Sequence, residues 1–144
     1  MADIYRYTPD LFQPYIMFAE AIIKQKDISP RERELAVLAV TAVHDVPYVL
    51  YAHTRIALGL GLTDEQVALA VKGVQPKGLT EEEEVVYATA LELTETKCPL
   101  KEETWQRAEA ILGKARCARL AHVVGLYLYA GSLLRMGAVS APRS

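Results

Sequence analysis

Apolar residues recur along this chain at the three- and four-residue spacing of amphipathic α-helices. In the segment 9–26, the apolar positions at that spacing are Leu11, Tyr15, Phe18 and Ile22. Pro14 interrupts the pattern. Because proline removes a backbone donor and clashes with the preceding turn, the regular helix is expected to begin only there. No stretch alternates apolar and polar residues between turn signals, as a strand would.

Polar residues, prolines and glycines mark where the helices begin and end. Capping boxes, in which Ser or Thr is followed three residues later by Glu or Gln, occur at 29–32, 63–66 and 80–83. Pro47 opens a further helix after a tight turn at 44–45. These signals predict helices over 9–26, 30–43, 47–59 and 64–73, then from 80 to a break at 98–99, onward to 113, and from about 115 to 136. We therefore expect an all-α fold of about seven helices in a single domain spanning 1–144.

The last predicted helix is apolar on most of its sides. Its apolar residues are Leu120, Ala121, Val123, Val124, Leu126, Tyr127, Leu128, Tyr129, Leu133 and Leu134. A helix that is apolar all round is expected to be buried. In a chain this small, such a helix often completes its burial against another subunit, so the pattern favours an oligomer.

Charge and cysteine content narrow the class of protein. Lys and Arg number 16 and Asp and Glu 18, and this net charge of −2 argues against nucleic acid as a partner. No apolar run approaches the roughly 20 residues of a membrane span, and the first residues lack the pattern of a signal peptide. Cys98 and Cys117 are too few for a disulfide framework and fit no zinc spacing. We therefore expect a cytoplasmic protein with no metal site, no nucleic-acid partner and no membrane.

One helical hairpin carries candidate chemistry. Glu34 lies ten residues before His44 at the turn, and His53 lies nine residues after it. Because helices joined by a short turn pack antiparallel, the two side chains are expected to face each other roughly 15 Å from the turn. A carboxylate beside an imidazole raises its basicity and fixes its tautomer, which makes a usable general base. The alternative is a structural ion pair that closes the hairpin, which spacing alone favours.

The surroundings of this pair are apolar and aromatic. Val46, Val49 and His53 are spaced three and four residues apart and share one face of their helix. Tyr48 and Tyr51 lie off that stripe, although either phenol could flank a pocket.

These residues carry a resemblance to a known family. The stretch 29–35, reading SPREREL, and the stretch 46–57, reading VPYVLYAHTRIA, resemble the signature of the carboxymuconolactone decarboxylase and alkylhydroperoxidase-D-like superfamily. The stretch 59–66, reading GLGLTDEQ, is similar to its downstream turn and capped helix, and 120–136 is similar to its long final helix, including Gly125 and Tyr127. The resemblance covers nearly the whole chain, from about Phe12 to Pro142.

The resemblance implies an all-helical fold that assembles into a homotrimer or homohexamer. It also implies roles for two residues, because the hydroperoxidase branch has a glutamate and a histidine at the positions of Glu34 and His53. There they form a proton relay with two cysteines, and the 19-residue spacing is the same. This implication favours a functional pair over a structural one.

The departure from the family pattern concerns the redox cysteines. Val46 and Val49 stand where redox members carry cysteine, and a valine has no thiolate to attack a peroxide. We therefore expect no dithiol peroxidase activity at this site. Peroxide reduction would require Cys98 and Cys117 to approach each other.

The decarboxylase branch suggests the activity that remains. Its members remove CO2 from a lactone acid without metal or coenzyme, and similar cysteine-free members are associated with decarboxylation, cyclisation or isomerisation in aromatic and polyketide pathways. The resemblance thus implies a lyase or isomerase that needs no cofactor and acts on a hydrophobic aromatic or polyketide-like acid, with His53 as acid–base and Glu34 as its partner. The alternative is a non-catalytic binding or scaffold protein that lost the redox cysteines.

Further residues are candidates for the pocket. The predicted substrate-binding residues are Tyr48, Val49, Tyr51, Val46, His122 and Tyr127. His122 interrupts the apolar final helix and is either a core residue or an addition specific to the substrate, and packing alone would also account for Tyr127. The aromatic N-terminal segment, with Tyr5, Tyr7, Tyr15, Met17 and Phe18, is expected either to cover the pocket, to exchange onto a neighbouring subunit or only to pack.

Overall fold

The computed structural model describes residues 5–138 and 140–141, and within them all regular structure is helical. The helices in chain order are α1 (Pro9–Lys24), α2 (Pro30–Val43), α3 (Pro47–Gly59), α4 (Asp64–Ala70), α5 (Glu81–Glu95) and α6 (Glu102–Met136). The expected all-α class is confirmed. Residues 1–4, which belong to the stretch that lacks a signal-peptide pattern, and Pro142, where the family resemblance ends, lie outside the described residues.

The number of helices differs from the expected seven. The described residues form six helical elements, because the two segments predicted on either side of Gly113 run together as α6. Gly113 departs from helical geometry, with φ 75° and ψ 161°, so the element is broken at that residue. A left-handed φ of this kind favours glycine, which explains why the break falls there.

The helix starts follow the local sequence closely. In all three capping boxes the Ser or Thr side chain accepts from the backbone N–H three residues on, and the Glu or Gln side chain accepts from the capping residue in return. The expectation that α1 begins at Pro14 is wrong, since α1 begins at Pro9 and continues through Pro14. The turn before Pro14 is exposed, so water can satisfy the carbonyl that proline leaves without a donor.

The helix buried on every side is α2, not the final helix. Residues 35–41 of α2 are all buried, and α2 packs against α3, α4, α5 and α6. The final helix instead buries a stripe that includes Leu120, Val123 and Leu134, while His122 and Tyr129 stay exposed. Within a single subunit, the final helix is therefore buried on one side only, and not all round as expected.

The length and apolar content of α6 also bear on the question of membranes. Among the described residues, α6 is the one helix long and apolar enough to cross a membrane, with a mean hydropathy of 1.3 in its 18-residue window. This finding corrects the expectation that no such stretch exists. Because 44% of that window is buried against the rest of the fold, packing within the bundle accounts for part of its apolar content.

Glu92 of α5 holds the N-terminal end of α6. Its carboxylate accepts from the backbone N–H of Lys101 and from the hydroxyl of Thr104, both at 2.6 Å. These hydrogen bonds, the Lys101 bond first, hold the pKa of Glu92 below its usual value. Because the folded-state pKa lies below the unfolded one, the stabilisation is present above about pH 4.3 and is lost as the pH falls through the folded-state pKa.

We expect Glu92→Gln to lower the free energy of unfolding by about 1 kcal/mol at neutral pH, because a neutral amide loses the charge that strengthens these hydrogen bonds. The melting temperature should fall by roughly 2–4 °C, and the difference from wild type should shrink as the solution is acidified below about pH 4. Thermal unfolding followed by circular dichroism over a pH series measures both effects. Glu95→Gln, at an exposed position of the same helix, is the control. A deficit that stays constant down to pH 3 would contradict this account.

Candidate active site

The α2–α3 hairpin brings Glu34 and His53 into direct contact. Helix α2 ends at Val43 and α3 begins at Pro47, so the connection is short and the helices run antiparallel. The Oε2 atom of Glu34 lies 2.5 Å from Nδ1 of His53. This is the side-by-side placement that equal distance from the turn predicts.

Burial makes this contact chemically distinctive. The side chain of Glu34 is 1% exposed and that of His53 is 14% exposed. When Glu34 is ionised its carboxylate can only accept hydrogen bonds, and Nδ1 of His53 is then the donor. That tautomer leaves Nε2 of His53 as the ring nitrogen able to exchange a proton with a ligand.

A tyrosine completes the surroundings of the histidine. The ring of Tyr127 in α6 lies edge-to-face with the imidazole of His53, with ring centroids 4.8 Å apart and planes at 89°. Burial raises the pKa of Tyr127, and the negative charge of Glu34 raises it further. Tyr127 is therefore a neutral phenol at physiological pH, able to donate a hydrogen bond.

His53 and Tyr127 lie on the wall of a cavity of about 170 Å³. Helices α1, α3 and α6 build this cavity, and its lining residues are Tyr15, Ala19, Ile23, Tyr48, Val49, Ala52, His53, Leu126, Tyr127, Ala130 and Leu134. Seven of these are aliphatic, three are phenols and one is an imidazole. Because an apolar cavity of about 150 Å³ can hold benzene, the space suits a group the size of one ring.

Four of the predicted site residues lie on the cavity wall, namely Tyr48, Val49, His53 and Tyr127. Glu34 lies behind the wall, reached through His53. The other predicted residues lie elsewhere.

Val46, Tyr51 and His122 do not reach the cavity. Val46 is buried in a small cluster with Val49, Val37 and Leu134. Tyr51 is half exposed beneath the guanidinium of Arg55, 5.7 Å from its ring centre. His122 is exposed beside Phe18, so it is neither a core residue nor a pocket residue in this subunit. Helical geometry explains why Tyr51 and His122 point away from the cavity. Tyr51 is two residues from His53 and His122 is five from Tyr127, so neither pair shares a helix face.

Sequence reasoning missed the outer wall of the cavity. Ala19 and Ile23 come from α1, and Leu126, Ala130 and Leu134 come from α6. Each set repeats every four residues, which is a signal for a shared helix face but not for what that face meets. Of the N-terminal residues named above, Tyr15 lines the cavity, which agrees with one of the three alternatives, whereas Tyr7 and Met17 are exposed.

Within the part of the chain that the structure describes, no three His, Cys, Asp or Glu side chains come close enough together to hold a metal ion.

Comparison with known families bears on the whole arrangement. The model of the carboxymuconolactone decarboxylase family matches residues 9–92, more than half of the chain, and this range includes both Glu34 and His53. No curated protein sequence is significantly similar to the chain. The all-helical fold agrees with the family match, and the chain belongs to the carboxymuconolactone decarboxylase family.

Proposed function

We propose that the protein is a lyase or isomerase that needs no cofactor and transfers a proton on a hydrophobic substrate. The observation that carries this proposal is the buried Glu34 carboxylate, 2.5 Å from Nδ1 of a histidine on the wall of an apolar cavity. Membership of the carboxymuconolactone decarboxylase family, which includes decarboxylases, supports a reading as an enzyme.

The proposed mechanism has His53 as the acid–base group and Glu34 as its orienting partner. With Nδ1–H donated to Glu34, the lone pair on Nε2 accepts a proton from an acidic carbon of the substrate. The imidazolium that forms is stabilised by the carboxylate, and it returns the proton to another atom in an isomerisation. In a decarboxylation, Nε2 instead takes the proton of the substrate's carboxylic acid. The bond to CO2 then breaks, its electron pair enters an adjacent carbonyl, and the imidazolium returns the proton to the resulting enolate carbon.

The phenols that line the cavity are suited to stabilise the negative charge that develops on the substrate in either reaction. An enolate oxygen is stabilised by hydrogen-bond donors placed in a site that excludes water. Tyr127, held neutral by burial, and Tyr48 at the more exposed side both line the cavity. A ring-sized aromatic or polyketide-like acid with a carbonyl beside its reacting carbon is the substrate class that we propose.

A redox function has less support from the arrangement of the cysteines. Val49 lines the cavity and Val46 packs in the same buried cluster, at the two positions where redox members carry cysteine. Cys98 is exposed, Cys117 is buried, both are free thiols, and neither lines the cavity. We therefore propose that the protein is not a dithiol peroxidase.

The two thiols should differ sharply in reactivity. Burial raises the pKa of the Cys117 thiol, and the charge of Glu109 raises it further, so less of the reactive thiolate is present. We expect iodoacetamide to label Cys98 in the folded protein at least about tenfold faster than Cys117, with both labelled after unfolding. Mass spectrometry of peptides measures the two rates. A disulfide between them after peroxide treatment would contradict the proposal and support peroxide reduction.

The proposed assembly is a homotrimer or homohexamer. Large apolar side chains are exposed on the single subunit, and those on α1 and α6 are Leu11, Phe12, Met17, Phe18, Ile23, Tyr129 and Met136. Contact with further copies of the chain would remove this apolar surface from water. The cytoplasmic location is a separate expectation and stays a prediction.

The activity is tested by proton exchange, because exchange does not require the product to be known. Wild-type protein in D2O is incubated with a panel of aromatic β-keto acids, lactone acids and neutral single-ring ketones. Deuterium incorporation and CO2 release are followed by NMR. Catalysed exchange or CO2 release on any member supports the proposal. A wild type that binds panel members, as seen by ligand NMR, yet catalyses neither reaction would favour the non-catalytic alternative.

A further inference from the structure

The Glu34 carboxylate is held from two sides. Its Oε2 atom contacts His53, and its Oε1 atom lies 3.3 Å from Nε of Arg33. The side chain of Arg33 is 14% exposed, so its guanidinium meets an almost fully buried carboxylate where water competes little. A charge-assisted hydrogen bond is strongest in such a setting.

This contact is not a default of helical geometry. Consecutive residues of an α-helix point about 100° apart, so side chains at i and i+1 do not normally face each other. The Arg33 side chain also reaches α1, where Nη1 donates to the backbone carbonyl of Ile23 at 3.3 Å. The side chain of that same Ile23 lines the cavity. Arg33 therefore connects α1, which forms the outer wall of the cavity, to the Glu34 carboxylate that contacts His53.

The charge of the Arg33 guanidinium matters when His53 gains and loses a proton. While His53 is protonated, its positive charge compensates the buried Glu34 carboxylate. When Nε2 has delivered its proton to a substrate, the imidazole is neutral and that compensation is gone. Arginine stays charged at any physiological pH, so Arg33 supplies a positive charge to Glu34 in both halves of the cycle.

We propose that Arg33 is a positioning residue for the acid–base pair: it fixes the Glu34 carboxylate toward Nδ1 of His53 and balances its charge when the histidine is neutral. This inference rests on the proposed function for its catalytic meaning. Its geometric content, that Arg33 sets the strength of the Glu34–His53 hydrogen bond, is testable without a substrate.

The decisive readout is the Nδ1–H proton of His53. In protein labelled with ¹⁵N at its histidine rings, a 2.5 Å bond to a carboxylate is expected to place this proton far downfield of ordinary imidazole signals. Its absence from His53→Gln identifies the resonance. In Arg33→Gln we expect it to move upfield or to broaden beyond detection, because the carboxylate loses its second anchor. Arg33→Lys keeps the charge and should restore part of the shift.

The matched control is Arg31→Gln. Arg31 lies on the same helix and also bonds a glutamate, with its Nε 2.5 Å from Oε1 of Glu83, but it does not contact Glu34. It should leave the His53 resonance unchanged even if it lowers the melting temperature. If Arg33→Gln leaves the resonance where it is in wild type, or if Arg31→Gln moves it equally, the inference is overturned.

Kinetics provide the second arm where an active substrate is found. Arg33→Gln should then reduce kcat at least about tenfold while changing KM little, since Arg33 does not line the cavity. A change confined to KM would contradict a positioning role. The two proposals fail separately: a wild type without turnover contradicts the proposed function, whereas an unchanged resonance in Arg33→Gln contradicts only this inference.

Discussion

Replacement of His53 by alanine is expected to reduce turnover by about 10²–10⁴-fold, the usual contribution of a positioned acid–base group. The loss should fall on kcat, because the variant removes the group that moves the proton and leaves the rest of the cavity wall in place. Solvent deuterium incorporation and CO2 release, measured on the substrate that wild type accepts, give this ratio directly. Glu34→Gln should also lose activity, because a glutamine can bond either tautomer of His53 and cannot compensate an imidazolium.

Two comparisons make this result specific to the pair. His44→Ala removes the histidine at the C-terminal end of α2, which is not on the cavity wall, and it should keep wild-type turnover. Circular dichroism and thermal unfolding must show that His53→Ala remains folded at the assay temperature. A folded His53→Ala protein with full kcat would refute the assignment of His53 and reduce its contact with Glu34 to a structural ion pair.

Local signals in the sequence were sufficient to predict the three capping-box helix starts and the central contact of the site, although not the start of α1. A capping box is written into four consecutive residues, and each of the three boxes forms as expected. The meeting of Glu34 and His53 follows from a short turn and equal distances along two helices. Both inferences depend only on local geometry, so they require no knowledge of how distant helices pack.

The residues that needed tertiary information were the ones predicted poorly. The cavity wall joins Ala19 and Ile23 of α1 to Ala130 of α6, more than 100 positions away, and no local pattern indicates that these faces meet. Hydropathy likewise drew attention to the final helix as a buried one and gave no sign that α2 occupies the centre of the fold. Ala36 and Ala39, both fully buried, are small enough to let neighbouring helices pack closely around α2.

The size of the cavity leads to the other large expected effect. Ala52 precedes His53 on α3 and lines the cavity, so Ala52→Leu would place three additional carbon atoms into a space of about 170 Å³. We expect kcat/KM, and the affinity for a bound ring, to fall at least about 100-fold, because a misfit of even one methylene in an apolar pocket costs about 1–3 kcal/mol. Ligand-detected NMR titration measures the binding even without turnover.

The design separates filling of the cavity from damage to the base. The downfield Nδ1–H resonance of His53 should persist in Ala52→Leu, since the Glu34–His53 contact lies behind the wall and not in the cavity. Ala68→Leu makes the same chemical change at an exposed position of α4 and should bind and turn over as wild type does. If Ala52→Leu keeps both its fold and wild-type affinity, the ligand binds elsewhere. That result would contradict the proposal that proton transfer takes place in this cavity.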